Sequence, residues 1–353
     1  MTKCYTDLET FLIGQGCHPA NIQLATRRQK EWLIKSMSNI KMNNMNFMKH
    51  KNLLYSFLVI IILLTITFLI TRRFKMENNY NDADAAGEIQ QKYMRHGGHN
   101  IYYEIGGDSD KALFFIHGWG GSTSSWKYQL DSFKDYKVVA MDLPGHGQSS
   151  KDKNANYNME LFADSVAEVL NKEEIEKAFF FGHSMGFAIS EIVALKYPEL
   201  CVGIGSIDGA HFEVPEDEKA QKDWIDYNRF FAESMNEEKG REDFINALFL
   251  PDTPQILKDE IFSTSQELPL SIGKAIIGSM ENNMEFWGKR VMDIPCLAIH
   301  SPVYQLTEEY KNDFMTMYPK AEYYEVDNVS HFLMMEMPYR INQMMLDYLE
   351  KVY

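Results

Sequence analysis

The run Gly182-His183-Ser184-Met185-Gly186 constrains this chain more than any other feature. It fits the pattern G-x-S-x-G and stands between two segments of different character. Ala178-Phe179-Phe180-Phe181 before it is a short apolar run that predicts a buried strand. Residues 184–196 after it predict a helix, which Pro198 ends. A serine between such a strand and such a helix sits on a sharp, strained turn, so its neighbours must be small. Its hydroxyl then projects above the sheet edge, at the N-terminal end of a helix. Ser184 is therefore the candidate nucleophile.

The rest of the C-terminal part of the chain agrees with such a turn. Residues 101–105 read as a hairpin strand; residues 112–116, 137–141, 202–207, 296–299 and 322–326 read as further strands. Helical patterns over residues 122–133 and 159–170, and from about Met335 to the end, alternate with them. The alternation predicts a mostly parallel sheet with helices on both faces. It stops between Ile207 and Cys296. Residues 212–290 are helical or loop-like and rich in aromatics, too long a stretch for a simple connection, and read as a helical cap.

A serine hydroxyl is a weak nucleophile and needs a base. His331, after the last strand and before the terminal helix, is the best placed; His211 and His300 come at less suitable points in the order. The acid that orients the base is open among several carboxylates. Asp208 directly follows the strand over 202–207, where a side chain points at the site. Glu308 and Glu309 are the next carboxylates after the strand over 296–299, and Asp327 is a further candidate; Asp208 is preferred. Oxyanion donors are expected from the backbone N–H groups of Trp119, in the run His117-Gly118-Trp119-Gly120-Gly121, and of Met185. Trp224 and Phe231 of the cap, together with His183, are candidate substrate contacts, although at least half of the cap aromatics are expected to pack within the cap. Asp142-Leu143-Pro144-Gly145-His146-Gly147-Gln148-Ser149 reads as a structural turn.

The 353 residues carry a formal net charge of −15, which argues against a nucleic-acid partner. Cys4, Cys17, Cys201 and Cys296 have neither CxxC nor metal-ligand spacing. Residues 53–70 form an eighteen-residue apolar run without a charge, flanked by Lys49, Lys51, Arg72, Arg73 and Lys75. That is about the length that crosses a ~30 Å hydrocarbon layer, so residues 53–71 are expected to be a transmembrane anchor. Basic residues on both sides leave its orientation nearly undetermined, with more Lys and Arg over 27–51 favouring a cytoplasmic N-terminus. Residues 72–92 read as a polar tether, and residues 93–353 as the folded domain. Residues 1–52 precede the anchor, and the first forty or so are expected to be a spurious extension upstream of Met42, Met45 or Met48.

Taken together, HGWGG at 117–121, DLPGHGQSS at 142–150, GHSMG at 182–186 and SHF at 330–332 resemble the α/β-hydrolase superfamily, in that family's order. The resemblance covers about residues 93–353. It implies a central, mostly parallel eight-stranded sheet, a Ser–acid–His order, and no metal or organic cofactor. Many members carry the acid after the seventh strand, where Ser301-Pro302-Val303-Tyr304 stands here; some carry it after the sixth, as Asp208 would be. A serine at 184 also argues against relatives whose nucleophile is an aspartate. The expected activity is hydrolysis of an ester, thioester or related acyl bond in a small, fairly apolar substrate. Carbon–carbon bond hydrolysis, cofactor-free peroxidation and slow-turnover ligand sensing at a membrane are the alternatives.

Overall fold

The computed structural model describes residues 88–209, 211–304 and 307–353. The expected anchor, the segment before it and residues 72–87 of the expected tether lie outside the described residues. Among the described residues no helix is long and apolar enough to cross a membrane.

Eight strands form one sheet: β1 (Gln90–His96), β2 (His99–Gly106), β3 (Ala112–Ile116), β4 (Lys137–Met141), β5 (Ala178–His183), β6 (Cys201–Ile207), β7 (Cys296–His300) and β8 (Ala321–Glu325). Their spatial order is β1-β2-β4-β3-β5-β6-β7-β8. β1 and β2 form an antiparallel hairpin, and β2 runs antiparallel to β4. From β4 onward all neighbours are parallel. β1 begins at Gln90, so the last three residues of the expected tether belong to the sheet.

The parallel strands are apolar throughout because both faces are covered. Every residue of β3, β5 and β7 is buried. The period of two divides their side chains between two cores. Phe114 and Phe180 point into one core, with Phe162 and Val166 of α2 (Met159–Lys172) and Ile189 and Ile192 of α3 (Met185–Lys196). Phe115, Phe179 and Phe181 point into the other, with Ile341, Met345 and Leu349 of the terminal helix Pro338–Val352.

The segment 122–133 does not form one helix. Ser122 caps a 3-10 turn over Thr123–Trp126, and a single α-turn, α1 (Lys127–Leu130), follows. The cap is an insertion between β6 and β7. It holds α4 (Glu218–Ser234), α5 (Glu238–Ala247), α6 (Gln255–Gln266), α7 (Leu270–Gly278) and a 3-10 segment, Ser279–Phe286. Arg241 of α5, itself buried, donates to the carbonyls of Ser265 and Leu268 at the end of α6, where unpaired carbonyls and the helix dipole favour a cation.

Candidate active site

Ser184 lies between β5 and α3 with φ 53° and ψ −123°, a conformation that costs a non-glycine residue about 1–3 kcal/mol. Close packing enforces it. A Cβ on Gly182 would come within 2.3 Å of the Gly186 carbonyl, and one on Gly186 within 2.2 Å of the Ile116 carbonyl oxygen. Both glycines are therefore required for α3 to leave β5 so sharply beneath the end of β3. Ser184 is left half-buried, while His183 and Met185 beside it are buried.

Asp208 follows β6 directly, with φ 47°, and its N–H extends the parallel ladder by donating to Ile299 O at 2.8 Å. That bond aims its carboxylate across the sheet end towards the loop after β8. There His331 Nδ1 donates to Asp208 Oδ2 at 2.7 Å, with both side chains almost fully buried. Ser301, just after β7, adds its N–H to Oδ1 and its hydroxyl to Oδ2, each at 2.7 Å. Burial works against ionisation of Asp208. The His331 hydrogen bond and charge, the charge of His300 and the Ser301 N–H outweigh it and hold the carboxyl below its ordinary range.

The loop after β3 closes the other side. Gly118 lies so near the elbow that a Cβ there would stand 2.9 Å from Ser184 Cβ. His117 Nε2 accepts from Leu143 N–H at 3.0 Å and its Nδ1 donates to Gly118 O at 2.7 Å, which joins this loop to the one after β4. Burial pushes His117 down to about 4, so it is neutral at neutral pH. Asp142 accepts from Thr123 N and Gln148 N, and Ser149 bonds Asp142 O and Tyr102 N. The 142–149 turn is thus structural. Among backbone carbonyls of the described residues none takes the Trp119 N–H. Met185 opens α3, so its N–H is one of the first four without an intrahelical acceptor.

The expected substrate contacts fare differently. Phe231 is half-buried and spent inside the cap, edge-on to Phe244 at 5.4 Å and parallel to Tyr227 at 6.3 Å. Phe244 in turn meets the Trp119 ring edge-on at 5.6 Å, and Trp119 Nε1 donates to Gly273 O of α7. Trp224, also half-buried, packs against the core that holds α2 and α3. His183 is engaged elsewhere: its Nε2 donates to the His331 carbonyl at 3.0 Å, and its ring lies 4.5 Å from the His331 ring and 5.4 Å from that of Phe332. Its ring nitrogen Nε2 and its ring face are thus taken up by the loop that carries His331. Of the other histidines, His300 is buried between Ser206 and Tyr323, and His211 pairs with Glu191 of α3 at 2.7 Å. Ser301 was missed as a partner of Asp208. Its signal is its place directly after the seventh strand, beside the strand that Asp208 follows.

Residues 111–255 match a family model described as alpha/beta hydrolase fold. The chain is 35% identical over 134 residues to the dihydrolipoyllysine-residue acetyltransferase component of the acetoin cleaving system of Cupriavidus necator, covering 38% of this chain and 33% of that protein. It is 25% identical over 258 residues to Lipase 1 of Psychrobacter immobilis, covering 70% of this chain and 80% of that one. Several curated relatives are matched over only 24% to 34% of their length. An esterase from Thermogutta terrifontis superposes with a TM-score of 0.64 at 22% identity, covering 74% of this chain and 99% of that one.

Proposed function

We propose that this chain is a member of the α/β-hydrolase superfamily and a serine hydrolase cleaving an ester, thioester or related acyl bond of a small, fairly apolar substrate. The observation that carries the reading is the pairing of a strained, half-buried Ser184 with a buried His331–Asp208 hydrogen bond across the same sheet end. Asp208 holds the His331 proton on Nδ1, which leaves Nε2 as the basic nitrogen. His331 removes the Ser184 proton, and Oγ attacks the acyl carbonyl. The N–H groups of Trp119 and Met185 receive the oxyanion. The imidazolium returns its proton to the leaving group, an acyl-enzyme forms, and water deprotonated by His331 releases the acid. The cap, held on the Trp119 ring through Gly273 and Phe244, covers the site and limits water.

A fluorophosphonate probe should label Ser184 in the folded protein, and Ser184→Ala should abolish both labelling and turnover of a chromogenic ester series of graded acyl length. An unlabelled Ser184 in active protein would overturn the mechanism. We also infer, from the charge-free run over residues 53–70, that the hydrolase is tethered to a membrane. The full chain should then stay with membranes through alkaline washing, and a chain beginning at Arg72 should not.

A further inference from the structure

Taking Ser184 as nucleophile and His331 as base from that reading, we propose that His183 is a positioning residue: it grips the His331 peptide from the elbow and so keeps the base in register with the nucleophile.

His331 is held at three points by three separate parts of the chain. Its side chain is bonded to Asp208 at the end of β6. Its N–H donates to Leu248 O at 3.1 Å, at the end of cap helix α5. Its carbonyl accepts from His183 Nε2 at 3.0 Å. A carbonyl can only accept, so the proton of His183 sits on Nε2. The Asp208 bond fixes the direction of the imidazole but not the place of the Cα from which it hangs. The two peptide bonds fix that place. One of them comes from the residue covalently joined to the nucleophile, so a single side chain sets the spacing between the elbow and the loop that carries the base.

The environment of His183 suits this task. It is 3% exposed. One face of its ring is occupied by His331 at 4.5 Å and 44°, and Phe332 lies against it at 5.4 Å and 45°. Burial and the neighbouring His331 push its pKa well below the free value. It therefore stays a neutral donor and adds no positive charge beside a group that must accept a proton. The grip also ties the base to the cap, because the Leu248 carbonyl holds the opposite side of the same residue.

Gln places its amide nitrogen near where imidazole Nε2 stands, whereas Asn reaches only the Nδ1 position. The expected result for His183→Asn is a fall in kcat of about a hundredfold with KM little changed, as for a reacting group displaced by about 1 Å. His183→Gln should recover most of the turnover. The low-field proton resonance of the His331–Asp208 hydrogen bond should persist in His183→Gln and broaden or vanish in folded His183→Asn. Asn and Gln variants that behave alike would overturn the proposal. So would a His183→Asn variant that raises KM at constant kcat, which would make His183 a substrate contact. Should the Asn variant fail to fold, a folded Gln variant without the resonance overturns it. The resonance needs no turnover. A wild-type protein that neither turns over esters nor takes the probe defeats the hydrolase reading, while the resonance still decides whether His183 holds His331.

Discussion

Asp208 is surrounded by donors. Ser301 N–H, Ser301 Oγ–H and His331 Nδ1–H all reach one buried carboxylate, and their combined effect exceeds the penalty of burial. Asp208→Asn keeps the shape but presents an amide to the imidazole and no longer fixes its tautomer; kcat should fall by about ten-thousandfold at unchanged fold. Ser301→Ala removes one hydrogen bond to a charged group and should cost about 1.5–3 kcal/mol in denaturant unfolding at neutral pH. The sign with pH follows from the depressed pKa of Asp208. The bond stabilises the ionised form, so the deficit is full above the ordinary carboxylate range and shrinks as pH falls through the pKa of the folded protein. Gly118 offers a sharper test. A methyl there would stand 2.9 Å from Ser184 Cβ and 3.2 Å from both the Nδ1 and the carbonyl oxygen of His183. The elbow is pinned from below and cannot yield, so Gly118→Ala should lower probe labelling of Ser184 by about a hundredfold.

Among the elements, the cap entrance is fixed by a buried ionic pair. His211, soon after β6, donates to Glu191 Oε1 of α3, and the Tyr318 hydroxyl donates to the same oxygen. Burial alone would lower the His211 pKa, but the charge and hydrogen bond of Glu191 outweigh it and raise it. The contribution of the pair to stability is therefore complete below about pH 6.5, the value of free imidazole, and is lost as pH rises through the raised value. Thermal midpoints of the wild type should decline across that window, and those of Glu191→Gln should start lower and decline less. The elements themselves were readable to different depths. β3, β5 and β7 announce themselves because strands buried on both faces must be apolar runs. β1, Gln-Gln-Lys-Tyr-Met-Arg-His, is mostly exposed at the sheet edge and resembles the polar tether before it. Ser184 and Asp208 are legible as candidates because each directly follows a strand, and His331 because it lies in the loop between the last strand and the terminal helices. The direction of the His183 ring and the role of Ser301 are not. They depend on the loop after β8 and on the β6–β7 register, in which Ile207 pairs with Ile299.

At the scale of the whole molecule, acid should be the weak side. His117, His146, His183 and His300 are all buried, and burial lowers all four, to about 4 for His117 and His300. The unfolded chain takes up protons at these positions below about pH 6.5, whereas the folded chain resists until near 4 at His117 and His300 and until well below the free value at His146 and His183. Every step down in pH through that interval therefore favours unfolding, by about 1.4 kcal/mol per pH unit for each imidazole that only the unfolded state protonates. Denaturant midpoints should fall steeply between those limits. Midpoints that stay flat there would mean that the four rings are hydrated in solution.

The place of Asp208 after β6 has a covalent consequence. The proposed nucleophile and acid, Ser184 and Asp208, both precede the cap, and the proposed base, His331, follows it. The bend between α4 and α5 carries exposed Asn236 and Glu237. A chain divided there would yield one fragment bearing Ser184 and Asp208 and another bearing His331, each inert by itself. The parallel pairing of β6 with β7 gives the two an edge along which to rejoin. This fold is thus laid out as a split enzyme, in which turnover would report the reassembly of its two halves.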